Sequence, residues 1–233
     1  MKHIVLLGDS IFDNGSYVGY NELDVPNQLK SLVKNDCRVT NLAVDGHVTS
    51  HIATQLNNLP SDATHLFVSV GGNDALGHLS IFNERVDTVG DAFQKMYLIG
   101  ENFQKEYSGM LDSVLAHELP TTVCSIYYPK FDAQSLNRVQ LYLPQQVNAE
   151  QLQQRAVAAE SIFNDIIMFE VFKRNLPLID LRVLCNEDED FANPIEPSCI
   201  GCMKIAKTIN KVANVHSFDS NACEVYSLIE FIK

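Results

Sequence analysis

Near the start of the chain, Ile4-Val5-Leu6-Leu7 is apolar on every side and stops abruptly at Gly8-Asp9-Ser10. A run with no polar face fits a strand buried on both sides, as in a parallel sheet covered by helices. In such sheets ligands collect just beyond the carboxyl ends of the strands. Ser10 falls at that edge, and Gly8 gives the backbone freedom to turn its hydroxyl outward. Asp9-Ser10 also reads as a plain helix N-cap, so the block by itself decides nothing. Two later stretches repeat the pattern. Asn41-Leu42-Ala43-Val44 runs into Asp45-Gly46-His47, and Phe67-Val68-Ser69-Val70 runs into Gly71-Gly72-Asn73-Asp74. Three predicted strands therefore finish in small and polar residues at one expected edge.

Between these strands the apolar spacing turns helical. Val25, Leu29, Leu32 and Val33 predict a helix over 25–34, with Pro26 suited to its first turn. Thr49 is placed to cap a helix carrying Ile52, Ala53, Leu56 and Leu59, which Pro60 ends. Residues 76–87 lack a clean period and read as a partly helical lid. From Thr88 a stripe of Phe93, Met96, Tyr97, Phe103, Tyr107, Met110 and Val114 reads as core packing, interrupted at Gly100. Strands follow at 121–127 and 178–181. Asn148 and Gln151 form a capping box for a long helix to about Lys173, whose segment 162–172 is apolar enough to predict burial. Residues 185–190 read as an acidic loop and 198–212 as a last helix, and the tail from Ser217 takes no assignment. The alternation implies one α/β domain over residues 1–233, with three layers and a mostly parallel, five-stranded sheet.

The three strand-end blocks resemble those of the GDSL-like, or SGNH, hydrolase family. Gly8-Asp9-Ser10 matches its nucleophile block, Gly46 its glycine block and Gly71-Gly72-Asn73-Asp74 its asparagine block. The likeness runs from residue 3 to about 75, with a weaker echo at 190–206. It implies a flavodoxin-like fold and a serine esterase or lipase-like hydrolase acting on small acyl esters such as acetates. It also implies Ser10 as nucleophile, with an oxyanion hole built from the Ser10 N–H, the Gly46 N–H and the Asn73 side-chain amide. The residue types suit this chemistry, because glycine lets a backbone N–H approach closely and Asn is a neutral donor.

One block departs from the pattern. Where the family presents Asp-x-x-His before the last helix, this chain has Asn193-Pro194-Ile195-Glu196. Three readings are open. Glu196 acts as the base, with burial raising a carboxylate whose ordinary pKa is about 4.3. Alternatively a histidine from elsewhere serves, His47 or His216, the remaining five being surface or packing residues. The third reading is a degenerate site, which makes the chain a binding protein on the same fold. Glu196 also has a structural role open to it, capping the helix that follows. Tyr127-Tyr128-Pro129, Phe12, His47 and Leu76 are expected at the rim of a substrate pocket.

Composition narrows the partners. A formal net charge of −12 argues against nucleic acid and anionic membrane surfaces. The start lacks the features of a signal peptide and no apolar run approaches a membrane span, so a cytoplasmic protein with reduced thiols is expected. Cys37 and Cys124 read as small buried hydrophobes. Cys199-Ile200-Gly201-Cys202 has the spacing of a redox or metal pair but no evident further ligands, so neither metal nor cofactor is expected. A nucleotide-binding α/β protein is disfavoured because no G-x-G-x-x-G or G-x-x-x-x-G-K-[ST] follows the first strand. No G-x-S-x-G elbow occurs either, which disfavours an ordinary α/β-hydrolase.

Overall fold

The computed structural model describes residues 1–33, 37–132, 147–220 and 222–227. In chain order the elements are β1 (Lys2–Gly8), α1 (Val25–Leu32), β2 (Cys37–Asn41), α2 (Ile52–Leu56) and β3 (His65–Ser69). They continue with α3 (Gly72–Leu76), α4 (Val89–Leu115), β4 (Thr121–Cys124), α5 (Ala149–Lys173), β5 (Leu178–Ile179) and α6 (Leu181–Leu184). The last are β6 (Phe191–Asn193), β7 (Glu196–Pro197), α7 (Cys199–Val215) and β8 (Val225–Tyr226). A six-stranded sheet in the order β2-β1-β3-β4-β5-β8 is parallel at every pairing, and β6 and β7 form a separate antiparallel pair. The sheet has six strands where five were expected. The extra one comes from the unassigned tail, where Val225 and Tyr226 carry too short a signal to read without the β5 edge they pair with.

Alternation along β1 builds the two cores. Ile4 and Leu6 pack with α1 and α7 residues such as Leu29, Ile205 and Ile209. Val5 and Leu7 pack on the other face with Ile52 of α2, Phe103 and Tyr107 of α4, and Ile167 of α5. Helices thus cover both faces, which is why β1 could be apolar throughout.

Local signals hold where their physics is local. Asp24 caps α1, accepting from the Asn27 N–H at 2.9 Å, with Pro26 in the first turn; Lys34, expected in this helix, lies outside the described residues. The Asn148 and Gln151 capping box starts α5, with the Gln151 N–H donating to Asn148 at 2.8 Å. Several expectations need correcting. Thr49 does not cap α2 but donates its N–H and hydroxyl to Asp74. Helix α4 runs unbroken through Gly100, which lets Ile162 and Ile166 of α5 pack close. Its core stripe begins only there, since Phe93 and Tyr97 are exposed. Phe169 and Phe172 of α5 are exposed too, while Phe163, Ile167 and Val171 are buried. Cys124 is buried as expected, but Cys37 is only half-buried. Phe12 sits in the core and not at a pocket rim. Among the described residues no helix is long and apolar enough to cross a membrane.

Candidate active site

Strand order 2-1-3 places a reversal of strand order between β1 and β3, and a crevice opens outside their carboxyl ends. The turn after β1 is shaped by Gly8, whose φ is +143° and where a Cβ would come within 1.9 Å of the Ser69 carbonyl oxygen. No other residue fits there. The α2 residue Gln55 grips the same glycine from both sides, accepting from the Gly8 N–H at 2.8 Å and donating to its carbonyl at 2.7 Å. Ser10 is thereby held just beyond the strand, 7% exposed.

Its hydroxyl donates to Glu196 Oε1 at 2.9 Å, across 186 residues of chain. Glu196 arrives on the β6–β7 hairpin, where Asn193 pairs with Glu196 around Pro194-Ile195. The Asn193 side chain accepts from the Ile195 and Glu196 N–H groups at 3.0 and 3.1 Å, forming an Asx turn that sets the direction of the Glu196 side chain. Tyr127 OH donates to the Ile195 carbonyl at 2.8 Å, and the Lys130 N–H to the Pro194 carbonyl at 2.9 Å, so the hairpin tip is pinned. Glu196 does not cap the last helix. Ser198 does, accepting from the N–H groups of Ile200 and Gly201.

Glu196 is buried and its Oε2 has no hydrogen-bond partner among the described residues. Burial pushes its pKa up to about 7, opposed by the Ser10 hydrogen bond and helped by Asp45. Asp9, also buried in the pocket wall, is pushed up to about 8, chiefly by burial. The Ile11 N–H opposes this, and the Glu196 and Asp74 carboxylates add to it. Burial therefore favours the protonated form of both neighbouring carboxyls relative to an exposed carboxyl.

Asn73, in the first turn of α3, lines the same pocket as Ser10 and Glu196. One of its amide hydrogens goes to the His47 carbonyl at 2.9 Å, leaving the second for another acceptor. Gly46 lies on the exposed loop carrying that carbonyl, with φ +78°, and does not itself line the pocket. His47 accepts at Nδ1 from Gln55 at 2.9 Å and stacks near His51, with ring centroids 4.5 Å apart. It too is absent from the pocket wall. His216 is buried at the far end of α7, facing Glu224 and Tyr226. That is roughly 25 Å along the helix axis from the end nearest Glu196. The structure brings Ser10, Asn73 and Glu196 to one pocket and leaves His47 and His216 outside it.

The pocket encloses about 930 Å³, part of it open to solvent. The expected lid contributes Leu76, Leu79, Ile81 and Phe82, partly through a short 3-10 turn at Leu79–Asn83. Tyr127 and Pro129 line it as expected, and Tyr128 does not. His78, expected at the surface or in packing, also lines it. Sequence reasoning missed two polar residues, Gln55 and Glu160. Gln55 sits on a helix face otherwise read as apolar, and that mismatch was its available signal; Glu160 lies just before the apolar segment 162–172 and carried none.

The family profile of GDSL-like lipases and acylhydrolases matches residues 4–201. The chain belongs to the GDSL-like lipase/acylhydrolase family. Its fold recurs in an extracellular lipase from Streptomyces rimosus, with 17% identity, a TM-score of 0.58 and coverage of 91% of this chain and 99% of that one. A phospholipase A1 from Streptomyces albidoflavus NA297 shares 16% identity at a TM-score of 0.59, covering 88% and 98%. The esterase EstA from a Pseudoalteromonas species shares 15% at 0.56, covering 92% and 100%. No curated protein matches. With family membership, the α/β architecture is that of the SGNH hydrolases, and ester hydrolysis is the chemistry of the family.

Proposed function

We propose that this family member is a serine esterase for small acyl esters, with Ser10 as nucleophile and Glu196 as the base in place of histidine. The observation that carries the reading is the 2.9 Å hydrogen bond from Ser10 Oγ to a buried Glu196 with a pKa near 7. A serine hydroxyl needs a base within hydrogen-bond reach and poised near the working pH, and Glu196 meets both requirements. As Ser10 Oγ attacks the ester carbonyl, its proton passes to Glu196 Oε1. The carbonyl oxygen becomes an oxyanion held by the Ser10 N–H and the second Asn73 amide hydrogen, with Gly46 outside the pocket wall and not used here. Glu196 then gives the proton to the departing alkoxide, leaving an acyl-serine. Water then attacks the acyl carbon as Glu196 takes its proton, and as the bond to Ser10 Oγ breaks Glu196 returns that proton to Oγ, releasing the acid and restoring Ser10.

The test is hydrolysis of p-nitrophenyl acetate by wild type and four variants, each checked for folding. Ser10→Ala and Glu196→Gln should each lower kcat by about 10²–10⁴. His47→Ala and His216→Ala should stay within a few fold of wild type. If one histidine variant proves the damaging one while Glu196→Gln is mild, the base assignment fails. A trace rate unchanged in Ser10→Ala would instead favour the binding-protein reading.

A further inference from the structure

Helix α5 turns Ala156, Ala159, Glu160 and Phe163 into the pocket, the spacing that places four side chains on one helical face. Three are apolar and one is a carboxyl. Among the described residues Glu160 has no ion-pair partner, and the one hydrogen bond it makes there is a long one, 3.3 Å, from Asn164 Nδ2. Asn164 is itself locked in place, accepting from the Ile126 N–H at 2.9 Å and donating to the Ile126 carbonyl at 2.8 Å. The nearby Arg182 is taken by Asp180, with Nε to Oδ1 at 2.9 Å. Half-burying a carboxyl with so little compensation among the described residues costs stability.

The walls around it are aromatic. Phe82, Phe131 and Phe163 line the same pocket, and Phe82 and Phe131 belong to one apolar cluster. Ring faces attract a cation, a carboxylate pairs with it, and a net charge of −12 raises the local concentration of cations. We propose, on the basis of the esterase reading above, that Glu160 is the specificity determinant of this pocket. It would receive a cationic group, an ammonium carried by the ester substrate. Burial pushes the Glu160 carboxyl up to about 8, so an arriving ammonium also favours release of its proton.

The experiment compares acetylcholine with 3,3-dimethylbutyl acetate, its neutral carbon isostere, at about pH 9, where these carboxyls are ionised. Wild type should favour the cationic ester in kcat/KM by about tenfold or more. Glu160→Gln should remove that preference by raising KM for acetylcholine, so that the ratio of kcat/KM for the two esters falls to about one. Calorimetric binding of choline to Ser10→Ala, where no hydrolysis can occur, supplies an arm independent of catalysis. Choline should bind Ser10→Ala, and the Ser10→Ala/Glu160→Gln double variant should bind it at least about tenfold more weakly. Equal kcat/KM for both esters in wild type, or choline binding unaltered by Glu160→Gln, would overturn the assignment. Choline binding that depends on Glu160 in a protein hydrolysing neither ester would instead retain the cation site and defeat the esterase reading.

Discussion

At Glu196, burial works against stability and for reactivity. Its pKa is about 7 in the folded protein, against an ordinary value near 4.3 in an unfolded chain. Between those two values the native state binds more protons than the unfolded state. Stability from this group is therefore intact at acid pH, falls as pH rises from about 4, and is lost above the folded pKa. Glu196→Gln carries no such penalty, so its stability relative to wild type should rise over that interval. The difference should reach on the order of 2–3 kcal/mol above pH 7, read from urea unfolding at several pH values. A difference independent of pH would mean that the carboxyl is not raised. The same titration should appear in catalysis, with kcat/KM for p-nitrophenyl acetate climbing through an apparent pKa near 7 on its acid limb. Deprotonation of Asp9, near 8, should mark a second change, because a new charge beside Glu196 makes its proton harder to lose.

At the level of elements, the β6–β7 hairpin depends on the helix behind it. A Cβ on Gly201, in the first turn of α7, would come within 2.3 Å of the Asp190 carbonyl oxygen, and Asp190 leads directly into β6. The buried Asp190 carboxylate also receives Lys204 Nζ at 2.7 Å. Gly201→Ala should therefore push helix and hairpin apart, costing about 1–3 kcal/mol in thermal or urea unfolding. It should lower kcat more than KM, because Glu196 rides on the displaced segment. Unchanged turnover in a destabilised variant would show that the hairpin moves independently of α7. These dependencies mark what could be read from the chain. β1, the capping box at Asn148 and the blocks at Ser10 and Asn73 were legible because their signals lie within a few residues. Position 196 was legible as a slot and as one of three readings of the base, and only the fold brings it to Ser10 while leaving His47 and His216 outside the pocket. Gln55 was hidden for a related reason. A polar residue inside an amphipathic stripe reads as noise until the opposite wall is in place. The exposed Phe93 and Tyr97 failed in the reverse sense, because periodicity marks a face without saying how far along the helix the core extends.

Across the whole molecule, the site is assembled from β1, β3 and the β6–β7 hairpin, so activity should be lost with the sheet and not before it. Urea curves followed by esterase activity and by far-UV circular dichroism should coincide. Activity lost at lower urea would show that the hairpin opens as a unit of its own. The bond from Ser10 to Glu196 also has a direction in time. Ser10 precedes Glu196 in the chain, and the β2 and β3 partners of β1 are also made before Glu196 is. Glu196 follows only after a further 185 residues. On the esterase reading, the nucleophile is made long before its base, and the acquisition of activity can serve as a clock for completion of the fold.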